Sequence, residues 1–164
     1  MSKTEQHLKD AFAGESQANR KYLAYSKKAE QEGYKQAAKL FRAAAAAETI
    51  HAHNHLRELG IVKSTKENLQ DAINGESYEF QNMYPQMIAD AKAEGKAGAL
   101  KSFNYANEVE KVHAALYQKA LDSLGKTADT DYYVCSVCGY TAEGHAPDEC
   151  PVCKSKKQAF MKVE

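Results

Sequence analysis

The stretch from Lys3 to Gly125 is written twice, and this duplication limits the folds open to it. Gly14-Glu15-Ser16 returns as Gly75-Glu76-Ser77, Glu32-Gly33 as Glu94-Gly95, and Phe41 as Phe103. Glu48-Thr49-Ile50-His51 returns as Glu110-Lys111-Val112-His113, and Leu59-Gly60 as Leu124-Gly125. The offsets run from 61 to 65 residues, enough for a pair of helices and their turns. Apolar residues recur three and four apart, as in Leu8 and Phe12 or Tyr22, Tyr25 and Ala29, which is the period of an amphipathic helix. Gly33, Gly60, Gly95 and Gly125 fall where glycine ends helices. The spacing predicts helices over about 3–32, 35–59, 65–94 and 97–124. The fold class expected is therefore mainly α: two copies of a helical hairpin packed as a four-helix bundle. Pro85, inside the third helix, predicts a kink or a local departure from ideal geometry.

The duplication also repeats a set of acids. Residues three apart share a helix face, so Glu48 converges with His51 and Glu110 with His113. Glu15 and Glu76 sit on the partner helices of the two copies. Docking the copies brings four Glu and two His into one core, the composition of a di-iron carboxylate bundle. One Glu-x-x-His alone is as readily a solvated helix face. Two in matching places, each with an upstream Glu and sharing helix sectors with Phe12, Tyr22, Phe41, Leu56 and Tyr117, point inward. Unneutralised carboxylates crowded in such a core repel by several kcal/mol even at an effective dielectric near 20, and a pair of cations relieves this. Carboxylate oxygens with imidazole nitrogens suit iron or manganese.

The copies differ at one place. Ala18 in the first corresponds to Glu79 in the second, one turn beyond Glu76. By pseudo-symmetry Glu79 is expected near a metal that His51 also reaches. The two would then compete for one position, the carboxylate favoured by ferric and the imidazole by ferrous iron. Tyr22, seven residues after Glu15, is a candidate to hydrogen-bond a ligand carboxylate; an ordinary buried aromatic is the alternative. His53 and His55 are read as non-ligands, and the run Ala43 to Ala47 as allowing close helix approach.

Beyond Gly125 the character changes. The expected division is a bundle over 1–125, a polar linker over 126–131 and a small domain over 132–164. The last region holds all four cysteines and two of the three prolines. So short a chain needs a metal cross-link to fold. Cys135-Ser136-Val137-Cys138 and Cys150-Pro151-Val152-Cys153 make two knuckles, a strong four-thiolate signal for which zinc and iron are both candidates. Clustered cysteines imply a reducing compartment, and the cytoplasm is expected. No secretory signal is evident at the start, and no apolar run is long enough to span a membrane. Lys plus Arg and Asp plus Glu balance at 22 each, which removes the electrostatic footprint of a nucleic-acid binder.

Ala13-Gly14-Glu15-Ser16-Gln17-Ala18, Glu48-x-x-His51, Gly75-Glu76-x-x-Glu79, Met83-Tyr84-Pro85 and Glu110-x-x-His113 resemble the rubrerythrin family. The C-terminal region, with Tyr133, Tyr140, Gly144, Ala146-Pro147 and Phe160 around its cysteines, resembles rubredoxin, although Lys154 stands where Gly is often found. The resemblance implies a ferritin-like di-iron bundle followed by an iron–tetrathiolate domain. Glu48 and Glu110 would bridge the irons. One iron would add Glu15 and either Glu79 or His51; the other would add Glu76 and His113. Tyr84 resembles the family's second tyrosine beside the ligands. The implied activity is reduction of hydrogen peroxide to water in oxidative-stress protection, with ferroxidase or iron-handling chemistry as the alternative. Two ferrous ions hold the two electrons that cleaving one O–O bond requires, and Glu79 is a candidate proton relay. The thiolate-bound iron would return electrons from an external rubredoxin or NAD(P)H-linked reductase, since no glycine-rich nucleotide loop is present. Homodimers or higher homo-oligomers are implied, with the rubredoxin-like centre of one subunit serving the bundle of another. Zinc in the cysteine site, with a non-catalytic role, is the third reading.

Overall fold

A computed structural model describes residues 2–126 and 129–164. The expected linker over 126–131 falls partly on 127 and 128, outside the described residues. The chain forms two compact units, one through Lys63 and one from Ser64 to Glu164.

The first unit is a helical hairpin of α1 (Lys3–Gln31) and α2 (Lys35–Leu59). Ser2 starts α1 with a capping box, its side chain accepting from the Glu5 amide while the Glu5 carboxylate accepts from the Ser2 amide. Gly33 turns the chain at φ 86°, a left-handed conformation that glycine adopts without steric cost. The seam between the helices is built from alanine. Ala38, Ala45 and Ala52 recur every seven residues on α2 and are buried, as are Ser26 and Ala29 on α1. Small side chains at heptad spacing let the backbones approach closely. Ala45 belongs to the alanine run expected to do this. Tyr25, Leu40 and Ile50 remain exposed.

The second unit repeats the hairpin and adds the cysteine module. Ser64 caps α3 (Thr65–Tyr78) with the same box, this time through Glu67. The helix then widens into a π-helical turn, Glu79–Met83, before α4 (Tyr84–Ala93). The Tyr84 amide donates to the carbonyl of Glu79, five residues back, at the widened turn. The departure expected from Pro85 thus takes the form of a π turn just upstream of it. Gly95, at φ 67°, leads into α5 (Ala97–Asp122).

The module is a three-stranded antiparallel sheet in the order β2-β1-β3, formed by β1 (Tyr132–Cys135), β2 (Thr141–Glu143) and β3 (Phe160–Val163). Tyr140 and Phe160 meet edge to face with centroids 6.3 Å apart. The module docks on α5 of its own chain at three places. A Cβ on Gly139 would lie 3.8 Å from Val109, which is 2% exposed. Lys119 pairs with Glu143. His113 meets Thr141. Thr141 and Glu143, two apart on β2, share one face of the strand. No helix of the described residues is long and apolar enough to cross a membrane.

Candidate metal centres

Each hairpin carries the same constellation. On α1 and α2, one ligand atom from each of Glu15, Glu48 and His51 lies within 4.8 Å of the others. His51 Nδ1 stands 2.9 Å from Glu48 Oε2 and 3.9 Å from Glu15 Oε1. On α3 and α5, Glu76, Glu110 and His113 form an equivalent group. His113 Nδ1 stands 2.7 Å from Glu110 Oε2 and 3.9 Å from Glu76 Oε2. The i,i+3 spacing within α2 and α5 brings each Glu–His pair together, and the packing of the neighbouring helix brings the third carboxylate. The His51 side chain is 54% exposed and that of His113 28%, because β2 lies against α5 at His113.

The acids are strained toward neutrality. Burial, then a shared hydrogen bond and the charge of Glu110, raise Glu76 to about 7, with Glu79 adding to the effect. A hydrogen bond with Glu48 is the first cause that raises Glu15, while the His51 and His55 charges oppose it. Burial and then Glu110 raise Glu79, and His113 opposes. Two carboxylates sharing a proton form an incomplete cation site: a divalent ion in the proton's place satisfies both oxygens. The donor set therefore fits hard or borderline metal ions.

Glu79 opens the π turn. Tyr84, which closes that turn, packs against Phe103 with centroids 6.3 Å apart. Burial and then the charges of Glu110, Glu79 and Glu76 raise its hydroxyl, which sets it beside the second group of acids. Tyr22 lies in an aromatic cluster with Tyr25 and Phe41, at 6.3 and 6.1 Å. His53 is exposed, and among the described residues neither it nor His55 belongs to a group of convergent ligands, although Glu15 feels the His55 charge.

Cys135, Cys138, Cys150 and Cys153 converge with all four sulfurs within 4.8 Å. Two of the Sγ···Sγ separations are 3.6 Å (Cys135 to Cys153) and 3.5 Å (Cys138 to Cys150). A disulfide needs about 2.05 Å, whereas a tetrahedral metal with bonds of about 2.3 Å spaces its sulfurs about 3.8 Å apart. The cage therefore fits a metal. Cys135 and Cys150 are buried, and burial raises the thiols of Cys138 and Cys150. Burial also acts on Cys153, but the hydroxyl and amide of Ser155 overcome it and bring that thiol down to about 6, with Ser155 Oγ 3.2 Å from Sγ. The Tyr140 backbone amide reaches the Cys138 sulfur, and those of Val152 and Cys153 reach the Cys150 sulfur. Such donors stabilise thiolates for metal binding.

Each knuckle needs a left-handed residue after its second cysteine. Gly139 has φ 85° and donates its amide to the Cys135 carbonyl; Lys154 has φ 64° and donates to the Cys150 carbonyl. Lys154 does this with a side chain that disfavours the conformation, which explains why glycine is common at such a position.

Ser155, Thr141 and Val109 were not among the residues singled out from the sequence. Nothing in their local pattern marks them; their roles come from what the fold places opposite them.

Two helical carboxylate–histidine groups and a four-thiolate cage in one chain define a metalloprotein of the ferritin-like and rubredoxin-like class. Family models agree: that of rubrerythrin matches residues 6–121, and that of the rubrerythrin rubredoxin-like domain matches 133–161. Rubrerythrin-2 of Clostridium acetobutylicum is 37% identical, with 96% of this chain and 95% of the relative covered. Nigerythrin of Nitratidesulfovibrio vulgaris is also 37% identical, with 96% and 85% covered. Solved structures of nigerythrin in a mixed-valent and a fully reduced, all-ferrous state match at TM-scores of 0.60 and 0.61, with 35% and 34% identity. Both matches cover 99% of this chain and 88% of nigerythrin. The chain belongs to the rubrerythrin family. Membership points to iron for both kinds of site and to an oxidoreductase of oxidative-stress protection.

Proposed function

We propose that this protein is a non-haem di-iron peroxidase that reduces hydrogen peroxide to water with electrons relayed through its tetrathiolate iron. The observation that carries the reading is the pair of matched Glu, Glu and His groups in a chain whose four-thiolate cage packs on the helix bearing one of them. In this reading the two hairpins join their half-sites, within one chain or by exchange between copies of a homodimer or larger homo-oligomer. Glu48 and Glu110 would be shared between the two irons, Glu15 and Glu76 would each serve one of them, His113 would complete one ligand set, and Glu79 or His51 would complete the other. Two ferrous ions, when bound, supply the two electrons that turn one peroxide and two protons into two waters.

The protein's part is to handle those protons and exclude side reactions. Glu79 holds a proton more readily than an ordinary carboxyl because it is partly buried near Glu110, which suits a group that leaves the metal and relays protons. Tyr84 stays neutral among three acids and can donate a hydrogen bond. Tyr22 is assigned a lesser part in orienting Glu15. Cys135, Cys138, Cys150 and Cys153 would hold an iron able to accept electrons singly from an external rubredoxin or NAD(P)H-linked reductase in the cytoplasm. The nigerythrin structures in mixed-valent and all-ferrous states support redox cycling of iron in this family.

The test is stopped-flow mixing of the reduced, iron-loaded protein with peroxide or with oxygen. Faster oxidation by peroxide, with iron retained, is expected. Faster oxidation by oxygen, with iron released into a mineral, would make the protein a ferroxidase. Absorption of freshly isolated protein separates iron from zinc in the cage: thiolate-to-iron charge transfer gives red colour, and zinc gives none.

A further inference from the structure

The first cysteine knuckle also borders α5 nearer the start of that helix. Val137 and Cys138 line an open groove of about 400 Å³ together with Lys101, Tyr105 and Ala106 of α5. Cys135 and Cys150 are buried, whereas Cys138 and Cys153 are partly exposed, so one edge of the cage reaches solvent. Val137 beside it is 55% exposed. A single exposed valine is ordinary; one that adjoins a metal-binding sulfur in a groove is placed where a second molecule would touch first. The charges around this edge are one-sided. Glu149 pairs with Lys156 at 2.8 Å, with Lys154 adding a weaker pull, and Asp148 lies 3.8 Å from Lys157. Farther along α5, Glu108 pairs with Lys111 at 2.5 Å. Lys101 Nζ lies over the Tyr105 ring, 5.5 Å from its centroid, and Lys154 Nζ donates to the Pro151 carbonyl at 3.1 Å. Among the described residues neither of these two lysines forms an ion pair with a carboxylate. The first turn of α5 holds no acid either, which leaves the positive end of its dipole unopposed.

We infer that the groove between α5 and the first knuckle is the docking surface for an external electron carrier, and that this carrier is an acidic one-electron protein. Val137 is its apolar contact, and Lys101 and Lys154 meet its carboxylates. The inference rests on the reading of the cage as an iron centre supplied with electrons from outside. One electron leaves the carrier, which is oxidised, and reduces the ferric tetrathiolate iron to ferrous; no bond forms or breaks and no proton moves. Encounters of this kind are brief and bury less than about 1,200 Å², so one apolar anchor within a charged rim suffices. Opposite charges there raise the rate of encounter more than the affinity. A second copy of this chain, with 22 basic and 22 acidic side chains, brings no net charge to such a rim. Entry from outside is separate from delivery onward to the bundle of another subunit, which the family resemblance implies.

Stopped-flow reduction of the ferric cage in the full, iron-loaded chain tests it. The donor is a separately purified acidic rubredoxin in its ferrous state, and the control is photoreduced deazaflavin, a small neutral reductant. The readout is the ratio of the two rates, so that a change in the cage itself cancels. Raising salt from about 20 to about 300 mM should lower the ratio about fivefold or more. At low salt, Lys101→Glu and Val137→Glu should each lower it about tenfold, and Lys154→Glu about threefold or more. Lys101→Arg, and Lys39→Glu on the exposed surface of the first hairpin, should leave it within about twofold. A ratio indifferent to Lys101→Glu, or one that rises with salt, would overturn the docking surface. So would Val137→Glu splitting a homo-oligomer in sedimentation while the ratio holds, because the groove would then be a seam between copies. A cage without thiolate-to-iron absorption, or one that deazaflavin fails to reduce, would overturn the electron-accepting reading and the surface with it. That failure is told apart because it occurs with both donors and in the unaltered chain.

Discussion

Glu110 Oε2 lies 2.7 Å from Nδ1 of His113, the same relation that Glu48 bears to His51 at 2.9 Å. Two copies of one local geometry, each with a third carboxylate from the neighbouring helix, make the metal reading specific enough to break residue by residue.

Removing a shared ligand should empty the bundle but not the cage. Glu110→Ala is expected to lower iron from about three per chain to about one, while the visible thiolate-to-iron absorption stays. Elemental analysis with a spectrum checks this. Unchanged iron content would remove Glu110 from the ligand set.

Glu79→Ala should act differently. Iron content is expected to stay within about a fifth of normal, because His51 remains available, but the change of coordination between oxidised and reduced states should vanish. X-ray absorption of both states measures it. Identical coordination in the two states of the unaltered protein would end the idea of exchange between Glu79 and His51.

The metal-free protein should lose stability as pH rises. The carboxyl of Glu76 is raised to about 7, first by burial and then by Glu110, so the folded state holds this proton more tightly than the unfolded chain does. Its contribution is complete below the ordinary value of 4.5 and fades as pH passes through about 7. Thermal melts are expected to fall by roughly a few degrees between pH 5 and 8 from this group, and Glu76→Gln should flatten the slope. Bound metal should reverse the trend, because the ion displaces the proton and binds better as pH rises.

The two knuckles should respond in opposite senses to exchange of their turn residues. Lys154 holds φ 64°, a conformation that disfavours a side chain by about 1 kcal/mol, so Lys154→Gly should slow metal loss to a chelator or leave it unchanged. Gly139→Lys puts a side chain at φ 85° beside Val109 and should destabilise the module by about 1–2 kcal/mol, visible as faster metal loss. Equal effects of the two substitutions would show that left-handed strain is not what distinguishes these positions.

The helix-ending glycines, the doubled Glu-x-x-His and the paired Cys-x-x-Cys motifs were legible in sequence because each rests on spacing along one chain segment, whereas the capping boxes at Ser2 and Ser64 came only with the structure. A 3.6-residue period and a knuckle are local geometries. The alanine seam was partly legible: the run from Ala43 to Ala47 announced close approach, but the heptad of Ala38, Ala45 and Ala52 emerged only with the α1 partner in place. Pro85 announced a departure from ideal helix without giving its kind. The π turn at Glu79–Met83 depends on how α3 and α4 lie against α5.

The sequence by itself determined the helices, their duplication and the chemistry of the ligands, because these follow from residue type and short-range spacing. Only the tertiary structure decided that Thr141 meets His113, that Val109 underlies Gly139, and that the cysteine module seats on its own α5. Those pairs lie 28 and 30 positions apart, and no periodicity links a helix to a strand across such a distance. Their meeting is set by the packing of β2 and its knuckle on α5.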